Sequence, residues 1–492
     1  MTAIVGQGAP DANSTETHNL PIIRNTMALQ FFNSLSNKKE DFVPIKEGEV
    51  RLYTCGPTVY NFAHIGNFRA YMFEDLLRRF LKYKGFKVTQ VMNLTDIDDK
   101  TIKGCQEQGI SLNEYTRPYK DAFFEDLDTL GIERAEYYPE ATTHIPEMVE
   151  IIKKLIANGM AYEIGGNYYF KISAFPDYGK LAKIDLEGLK AGARIATDEY
   201  EKESVSDFAL WKAWTPEDGD VFWETELGKG RPGWHLECSA MSMKYLGSHF
   251  DMHTGGIDNK FPHHENEIAQ SQGATGEKFV NYWLHCAHLI VEGKKMSKSL
   301  GNFYSLREVL DKGYSPSAIR YLLLGTQYRM PLNFTFDGLD ASAKALRRYN
   351  DFWRNLTEYS GAGEGGQAGE VIDKAAREFE KGLDDDLNIS YALAAVFDFI
   401  RDINRLRSEN NLSVEERDKA LALIGRIDSV LNFQVKEAAL DNEGEIEALV
   451  QKRAEAKKNR DFATADSIRD QLTAMDIILE DTPQGAKWRK KV

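Results

Sequence analysis

Cysteine is scarce in this chain. Only Cys55, Cys105, Cys238 and Cys286 occur among 492 residues. So few sulfurs exclude a disulfide scaffold and point to a reducing compartment, the cytoplasm. Long apolar runs are missing as well. None approaches the roughly 20 residues that a membrane-spanning helix needs, so no membrane partner is expected. The first 26 residues are polar and mixed, with Gly6, Gly8, Pro10, Asn13 and Ser14. They lack the basic start and apolar stretch of a signal peptide and are expected to form a mobile extension, with the folded chain beginning near Met27. Positive charge is in deficit. Lys plus Arg total 61 against 76 for Asp plus Glu, a net charge of −15. That excludes a protein coated in nucleic acid, but not one with a local basic face.

What remains is ordinary globular composition, 42% hydrophobic and 28% charged. The length implies about three or four domains. Val50 to Val59 reads as a buried strand ending in a Gly-Pro turn. His64 to Asn67 follows in a loop. Arg69 to Tyr83 has helical spacing of Tyr71, Phe73, Leu76, Leu77, Phe80 and Leu81. Lys87 to Asn93 reads as a second strand. Strand, helix, strand is a βαβ unit, which predicts a parallel sheet with a ligand crevice at the strand ends.

Residues 121–232 have a mixed pattern. A helix over Glu147 to Gly159 is followed by a hairpin around Gly165, Gly166 and Asn167, flanked by Tyr162 and by Tyr168 to Phe170. They are expected to be an insertion between two halves of the sheet domain (27–120 and 233–302). Beyond Leu339 the pattern is nearly all helical, with an amphipathic helix at Asn388 to Arg407 that suits a bundle. Gly361 to Gly369 is a flexible linker by composition. From Asp441 a charged helical run precedes the tail Leu479 to Val492. No internal repeat is evident.

Three groups of residues carry chemistry. In Phe261 to Gln270, Pro262 suggests a helix start. His263 and Glu267 then lie one turn apart on one helical face, with His264 and Glu265 facing elsewhere. A His and a Glu so placed can both reach one Zn²⁺, and two thiolates complete a tetrahedron. Cys55 and Cys238 are candidate thiolates. The bland alternative is a buried His, an exposed Glu and inert core cysteines, and the spacing alone favours it. The second group is His64-Ile65-Gly66-Asn67, where Gly66 permits close backbone approach and the following helix offers its positive end to phosphate. Downstream, Lys295 and Lys298 of Lys-Met-Ser-Lys-Ser can neutralise a triphosphate. Between them, Gly255 and Gly256 suit a flat base, and Asp258 can accept ribose hydroxyls. Each of these is singly as consistent with a plain turn or a solvated loop. The third group is C-terminal: Lys452, Arg453, Lys457, Lys458 and Arg460 before Phe462, then Lys487, Trp488, Arg489, Lys490 and Lys491. Basic residues beside aromatics suit phosphate contact with base stacking, and a solvated helix with a frayed tail is the alternative.

Taken together, these segments resemble the class I aminoacyl-tRNA synthetases. His64 to Asn67 resembles their H-I-G-H signature, and Lys295 to Ser299 matches K-M-S-K-S. Within that class CGPTVY (from Cys55), NLTDIDDK (from Asn93), GRPGWHLECSAM (from Gly230), HTGGID (from His253) and FPHHENEIAQ resemble the cysteinyl-tRNA synthetase family, with coverage from about Met27 to the C-terminus.

The resemblance implies a Rossmann-type α/β catalytic domain with an inserted α+β connective domain. A stem-contact region (303–338), a helical bundle that binds tRNA (339–440) and a small anticodon-binding domain (441–492) would follow. It implies one Zn²⁺ held by Cys55, Cys238, His263 and Glu267, with Trp234 and His253 lining the amino-acid pocket. ATP with Mg²⁺ would be handled by His64, Gly66, Asn67, Gly255, Gly256, Asp258, Lys295 and Lys298. Phe462, Asp466, Asp481 and Trp488 would contact the anticodon of tRNA(Cys). The expected enzyme is a monomer that activates cysteine with ATP.

Asn67 departs from the family pattern, which closes its first signature with a second His. Asn keeps a donor but cannot carry positive charge. Two rivals share much of the pattern: a ligase joining cysteine to an amino-sugar inositol in mycothiol synthesis, and a non-catalytic tRNA-binding homologue. The C-terminal tail argues against the first. The intact His64, Lys295, Lys298 and zinc-ligand candidates argue against the second.

Overall fold

A computed structural model of the chain describes residues 28–184, 207–361, 363–435, 443–475, 477–482 and 485–490. The expected N-terminal extension lies outside the described residues. The centre is a four-stranded parallel sheet in the order Val280–Cys286, Phe250–Gly256, Glu49–Thr54, Lys87–Met92. Two of its strands precede residues 121–232 in the chain and two follow, so the sheet is assembled across that intervening stretch. Alternation along Glu49–Thr54 and just beyond it divides the interior in two. Val50 and Leu52 join the core that runs through the helix Ile65–Tyr83 into the C-terminal helices, while Tyr53 and Cys55 join the core beneath the intervening segment.

The intervening segment carries the helix Ile145–Ala157 and a five-stranded antiparallel sheet. Its order is Ala161–Ile164, Asn167–Phe170, Phe208–Ala213, Gly228–Pro232, Trp223–Thr225. Gly228–Pro232 leads directly into the helix Trp234–Leu246. A short sheet of Lys294–Lys295, Leu289–Val291 and Leu332–Phe334 extends past the end of the parallel sheet.

Four helices form the bundle: Phe336–Thr357, Ala368–Asp384, Ile389–Ser408 and Val414–Leu431. The Gly-rich stretch before the second of them is not the flexible linker its composition suggests. A Cβ on Gly363 would fall 2.5 Å from the Asn410 carbonyl oxygen. The N–H groups of Gly366 and Ala368 both donate to Glu416 Oε1, at 2.8 and 3.0 Å. Glycine is there because the chain passes close to another backbone, and one carboxylate ties the turn down.

The C-terminal piece packs the helices Glu443–Lys458 and Phe462–Ala474 against a small core of Ile446, Val450, Ile468, Leu472 and Ile477. The expected tail is instead an antiparallel hairpin, Ile477–Thr482 with Gly485–Lys490. No helix among the described residues is long and apolar enough to cross a membrane.

The helix Ile65–Tyr83 is apolar on more than one side because it is wedged between the sheet and the bundle. Its buried arginines and carboxyl groups are each hydrogen-bonded, although Arg69 Nε and Glu74 Oε2 find no partner. Arg69 donates to the Thr326 and Gln327 carbonyls at 2.9 and 3.1 Å, and also to the Leu323 carbonyl. Asp75 receives Arg320 at 2.5 Å and Arg79 at 2.8 Å. Arg320 also reaches the carbonyls of Leu130, Gly131 and Leu431, so a single guanidinium joins this helix, the turn that ends the helix Leu112–Thr129 and the last bundle helix.

Candidate active site

The helix begins at Ile65, four residues earlier than its apolar spacing suggests, because His64 caps it. The Asn67 N–H donates to His64 Nδ1 at 3.2 Å, and Asn67 Oδ1 accepts the His64 N–H at 3.1 Å. This reciprocal capping box satisfies two otherwise orphaned donors. Since a backbone N–H can only donate, Nδ1 must accept, and the imidazole proton sits on Nε2. Asn67 therefore braces the signature, a function that composition could not suggest.

The second signature lies alongside. His64 pairs with Ser305 in a backbone bridge, and its ring packs edge-on against Phe303 at 4.9 Å. Asn302 ties the loop to itself, accepting from the Ser297 N–H at 2.9 Å and donating to the Lys295 carbonyl at 3.1 Å. Lys295 and Met296 border the same cavity as His64, Gly66 and Asn67. Lys298 opens the short turn Lys298–Leu300, and its side chain lies outside the described residues.

That cavity, about 670 Å³, runs from the two signatures past Gly256 and Asp258 to Trp234, Cys55, Cys238 and His263. Gly255 does not border it. A Cβ there would fall 2.9 Å from His264 Cε1, so its glycine makes room for a buried ring rather than for a base.

At the deep end, Cys55 follows the strand Glu49–Thr54, Cys238 sits in the helix Trp234–Leu246, and His263 and Glu267 share one face of the helix His263–Thr275. The ligating atoms of these four buried residues all lie within 4.8 Å of one another. Glu267 Oε1 stands 3.1 Å from His263 Nε2, yet it is a buried atom with no hydrogen-bond partner. Burial pushes Glu267 up to about 8 against the pull of His263, and burial pushes His263 down to about 3. A hydrogen bond with Cys238, together with burial, holds the Cys55 thiol well above its ordinary value. These neighbours alone thus favour neutral forms, a preference that a bound dication would reverse. Two sulfurs, an imidazole and a carboxylate suit Zn²⁺. Trp234, 43% exposed, stacks on the His263 ring at 4.6 Å and closes one wall.

Two expectations need correction. His253 does not border the cavity. It is fully buried behind it, and its Nε2 stands 2.9 Å from Glu267 Oε2. His264 does not face away from the cluster. Its Nε2 stands 3.2 Å from Cys55 Sγ, and its Nδ1 stands 2.9 Å from His285 Nε2. Helical spacing placed His264 on another face, and that face is the one the parallel sheet covers. His285, in the strand Val280–Cys286, belongs to no motif the sequence singled out.

The anticodon candidates are spread over the C-terminal piece. Phe462 is 63% exposed at the start of its helix. Asp466 stands 3.4 Å from Arg469. In the hairpin, Trp488 lies opposite Leu479 and Asp481 opposite Ala486; their side chains lie outside the described residues.

The fold has relatives among solved structures. Mycobacterium tuberculosis methionyl-tRNA synthetase in complex with methionyl-adenylate superposes with a TM-score of 0.58 at 15% identity, covering 78% of this chain and 89% of that one. The LeuRS of Agrobacterium radiobacter K84, in a ternary complex with tRNA, gives 0.56 at 11% identity, covering 80% and 85%. At such identities the likeness concerns the fold. Residues 41–344 match the family of class I (C) tRNA synthetase catalytic domains, and residues 378–435 match the DALR domain. Sheet, paired signatures and cavity thus define a class I aminoacyl-tRNA synthetase.

Residues 441–489 match the cysteinyl-tRNA ligase anticodon binding domain. The cysteine–tRNA ligase of Brachyspira hyodysenteriae is 53% identical over 475 residues, covering 94% of this chain and 99% of the relative. That of Protochlamydia amoebophila is 50% identical over 470 residues, covering 94% and 98%. The chain belongs to the cysteine–tRNA ligase family.

Proposed function

We propose that this enzyme attaches cysteine to tRNA(Cys) in two steps. A carboxylate oxygen of cysteine attacks the α-phosphorus of ATP, the bond to the β-phosphate oxygen breaks, and pyrophosphate leaves. The terminal ribose hydroxyl of tRNA then attacks the adenylate carbonyl and AMP departs. Neither step needs a covalent enzyme intermediate, so orientation and charge stabilisation carry the rate.

His64 donates from Nε2 to a phosphate oxygen. Asn67 holds that imidazole in place and offers its own amide to the same corner. Lys295 and Lys298 take the charge that moves onto the departing pyrophosphate, with Mg²⁺ accompanying the nucleotide. Gly66 and Gly256 let the nucleotide approach the backbone, and Asp258 accepts its ribose hydroxyls. Gly255 serves this end indirectly, by seating His264. Trp234 closes the amino-acid end.

Cys55, Cys238, His263 and Glu267 are the residues that would hold Zn²⁺. Bound there, the ion would favour a substrate thiolate, which serine's far less acidic alcohol cannot match. An apolar pocket alone separates such near-isosteres poorly. Phe462, Asp466, Asp481 and Trp488 are proposed to read the anticodon.

The observation that carries this reading is the meeting of four ligating atoms from three distant segments within 4.8 Å at the deep end of the signature cavity. The test is aminoacylation of total tRNA with cysteine and with serine, before and after metal chelation. Cysteine charging that chelation abolishes, with serine excluded, supports the reading. Charging and selectivity that survive complete metal removal overturn the role of zinc.

A further inference from the structure

Four donors beside the cavity are only part of what gathers there. Behind them, Cys55 and Glu267 also meet His253 and His264, and the ligating atoms of this second set likewise lie within 4.8 Å of one another. The two sets share Cys55 and Glu267. Cys238 and His263, which border the cavity, complete an outer set. His253 and His264, both fully buried, complete an inner one.

The inner spacings fit a metal. Cys55 Sγ to His264 Nε2 is 3.2 Å, His253 Nε2 to Glu267 Oε2 is 2.9 Å, and His264 Nε2 to Glu267 Oε1 is 4.0 Å. Donors around tetrahedral zinc, with bonds of about 2.0–2.3 Å, stand about 3.3–3.8 Å apart. These three spacings bracket that range, and with all four donors within 4.8 Å of one another, closing them on an ion calls for side-chain shifts of up to about an ångström.

Both imidazoles also have their far nitrogen engaged, as metal-bound histidines do. His253 Nδ1 stands 3.3 Å from the Thr254 carbonyl oxygen. His264 Nδ1 stands 2.9 Å from His285 Nε2, and His285 in turn reaches Ser34 Oγ at 2.7 Å. Charge favours the inner set too. One thiolate, one carboxylate and two neutral imidazoles balance a dication. Two thiolates and a carboxylate leave one negative charge over, which suits the position nearer the cavity and costs more where nothing else is solvated.

The geometry points to a second, inner station for the same divalent ion, built from Cys55, His253, His264 and Glu267. This rests on the proposal that the outer set holds Zn²⁺. Two stations sharing two ligands let the ion step inward when an outer ligand is lost, instead of leaving the protein. The competing account is that His253 and His264 only orient Glu267 and Cys55 by hydrogen bonds.

The test measures zinc content and X-ray absorption on the purified full-length protein. The variants are Cys238→Ser, a one-atom change, and His263→Ala, each alone and each combined with His264→Ala, with folding checked by thermal melting. The two single variants are expected to keep about one zinc per chain. Their coordination is expected to shift from two sulfurs and one imidazole to one sulfur and two imidazoles, and adding His264→Ala removes the metal. Single variants that fold but lose their zinc, while the wild type holds one, overturn the inner station and leave the outer set intact. A wild-type protein that binds no zinc overturns both.

Discussion

Glu74 offers a quantitative test of how the catalytic helix is packed. It is fully buried on the sheet-facing side of Ile65–Tyr83. Oε1 accepts from Thr254 Oγ1 at 2.8 Å, while Oε2 has no partner. Burial pushes its carboxyl up to about 8, against the opposing hydrogen bond from Thr254. The folded pKa therefore lies above the unfolded one. Between about pH 4.5 and 8 the folded protein holds a proton that the unfolded chain has released, so stability falls as pH rises through that window and is flat above it. A span of about 3.5 pH units at about 1.36 kcal/mol each amounts to roughly 5 kcal/mol at pH 8 and above.

Glu74→Gln keeps an acceptor for Thr254 and cannot ionise. Relative to the wild type, its melting temperature should be nearly unchanged near pH 5. It should then gain about 1–2 °C per pH unit up to pH 8, and hold a constant margin beyond. Thermal melts of both proteins at half-unit steps from pH 5 to 9.5 decide the matter. Parallel curves, with the same difference at every pH, would refute a buried protonated Glu74.

Substitutions at four further residues test the site and the packing. Asn67→Ala should weaken the helix cap by about 1 kcal/mol and raise the KM for ATP in pyrophosphate exchange. Asn67→His should keep or raise the exchange rate, because an imidazole can also accept with one nitrogen and donate with the other; a large loss there contradicts the bracing role. Cys238→Ser should abolish discrimination against serine in the exchange assay, and a retained preference for cysteine refutes the zinc role. Arg320→Met strands the buried Asp75 with one fewer cation and should cost about 3–5 kcal/mol in denaturant unfolding; Arg320→Lys should not rescue it, since one ammonium cannot span acceptors on three elements. Phe462→Ala should raise the KM for tRNA several-fold and leave cysteine-dependent pyrophosphate exchange unchanged, and an unaltered KM removes Phe462 from the proposed anticodon contacts.

Local patterns carried much of this protein. Apolar spacing predicted the βαβ unit. The Gly165–Gly166 turn predicted the hairpin Ala161–Ile164 with Asn167–Phe170. Pro262 and the four-residue step from His263 to Glu267 marked a helix with both side chains on one face. These were legible because periodicity, turn chemistry and caps act over a few residues. The same local view misjudged residues whose partners are remote in the chain. Gly361 to Gly369 looked flexible because Glu416 is some fifty positions away. His264 looked misdirected because its partners, Cys55 and His285, stand 209 and 21 positions away in the chain. Asn67 looked like a weakened catalytic donor, since the shape of the turn that makes it a brace is not written in its side chain.

By itself, then, the sequence determined the elements, the order of the motifs and the stock of zinc-ligating residues, all of which follow from short-range geometry and side-chain chemistry. Only the tertiary structure decided which of those ligands meet. Cys55, Cys238 and the His263–Glu267 helix are drawn together because three separate stretches bury their apolar faces on the same side of one parallel sheet. Burial against that sheet also ranks the histidines by depth, with His263 at the cavity wall and His253 and His264 behind it.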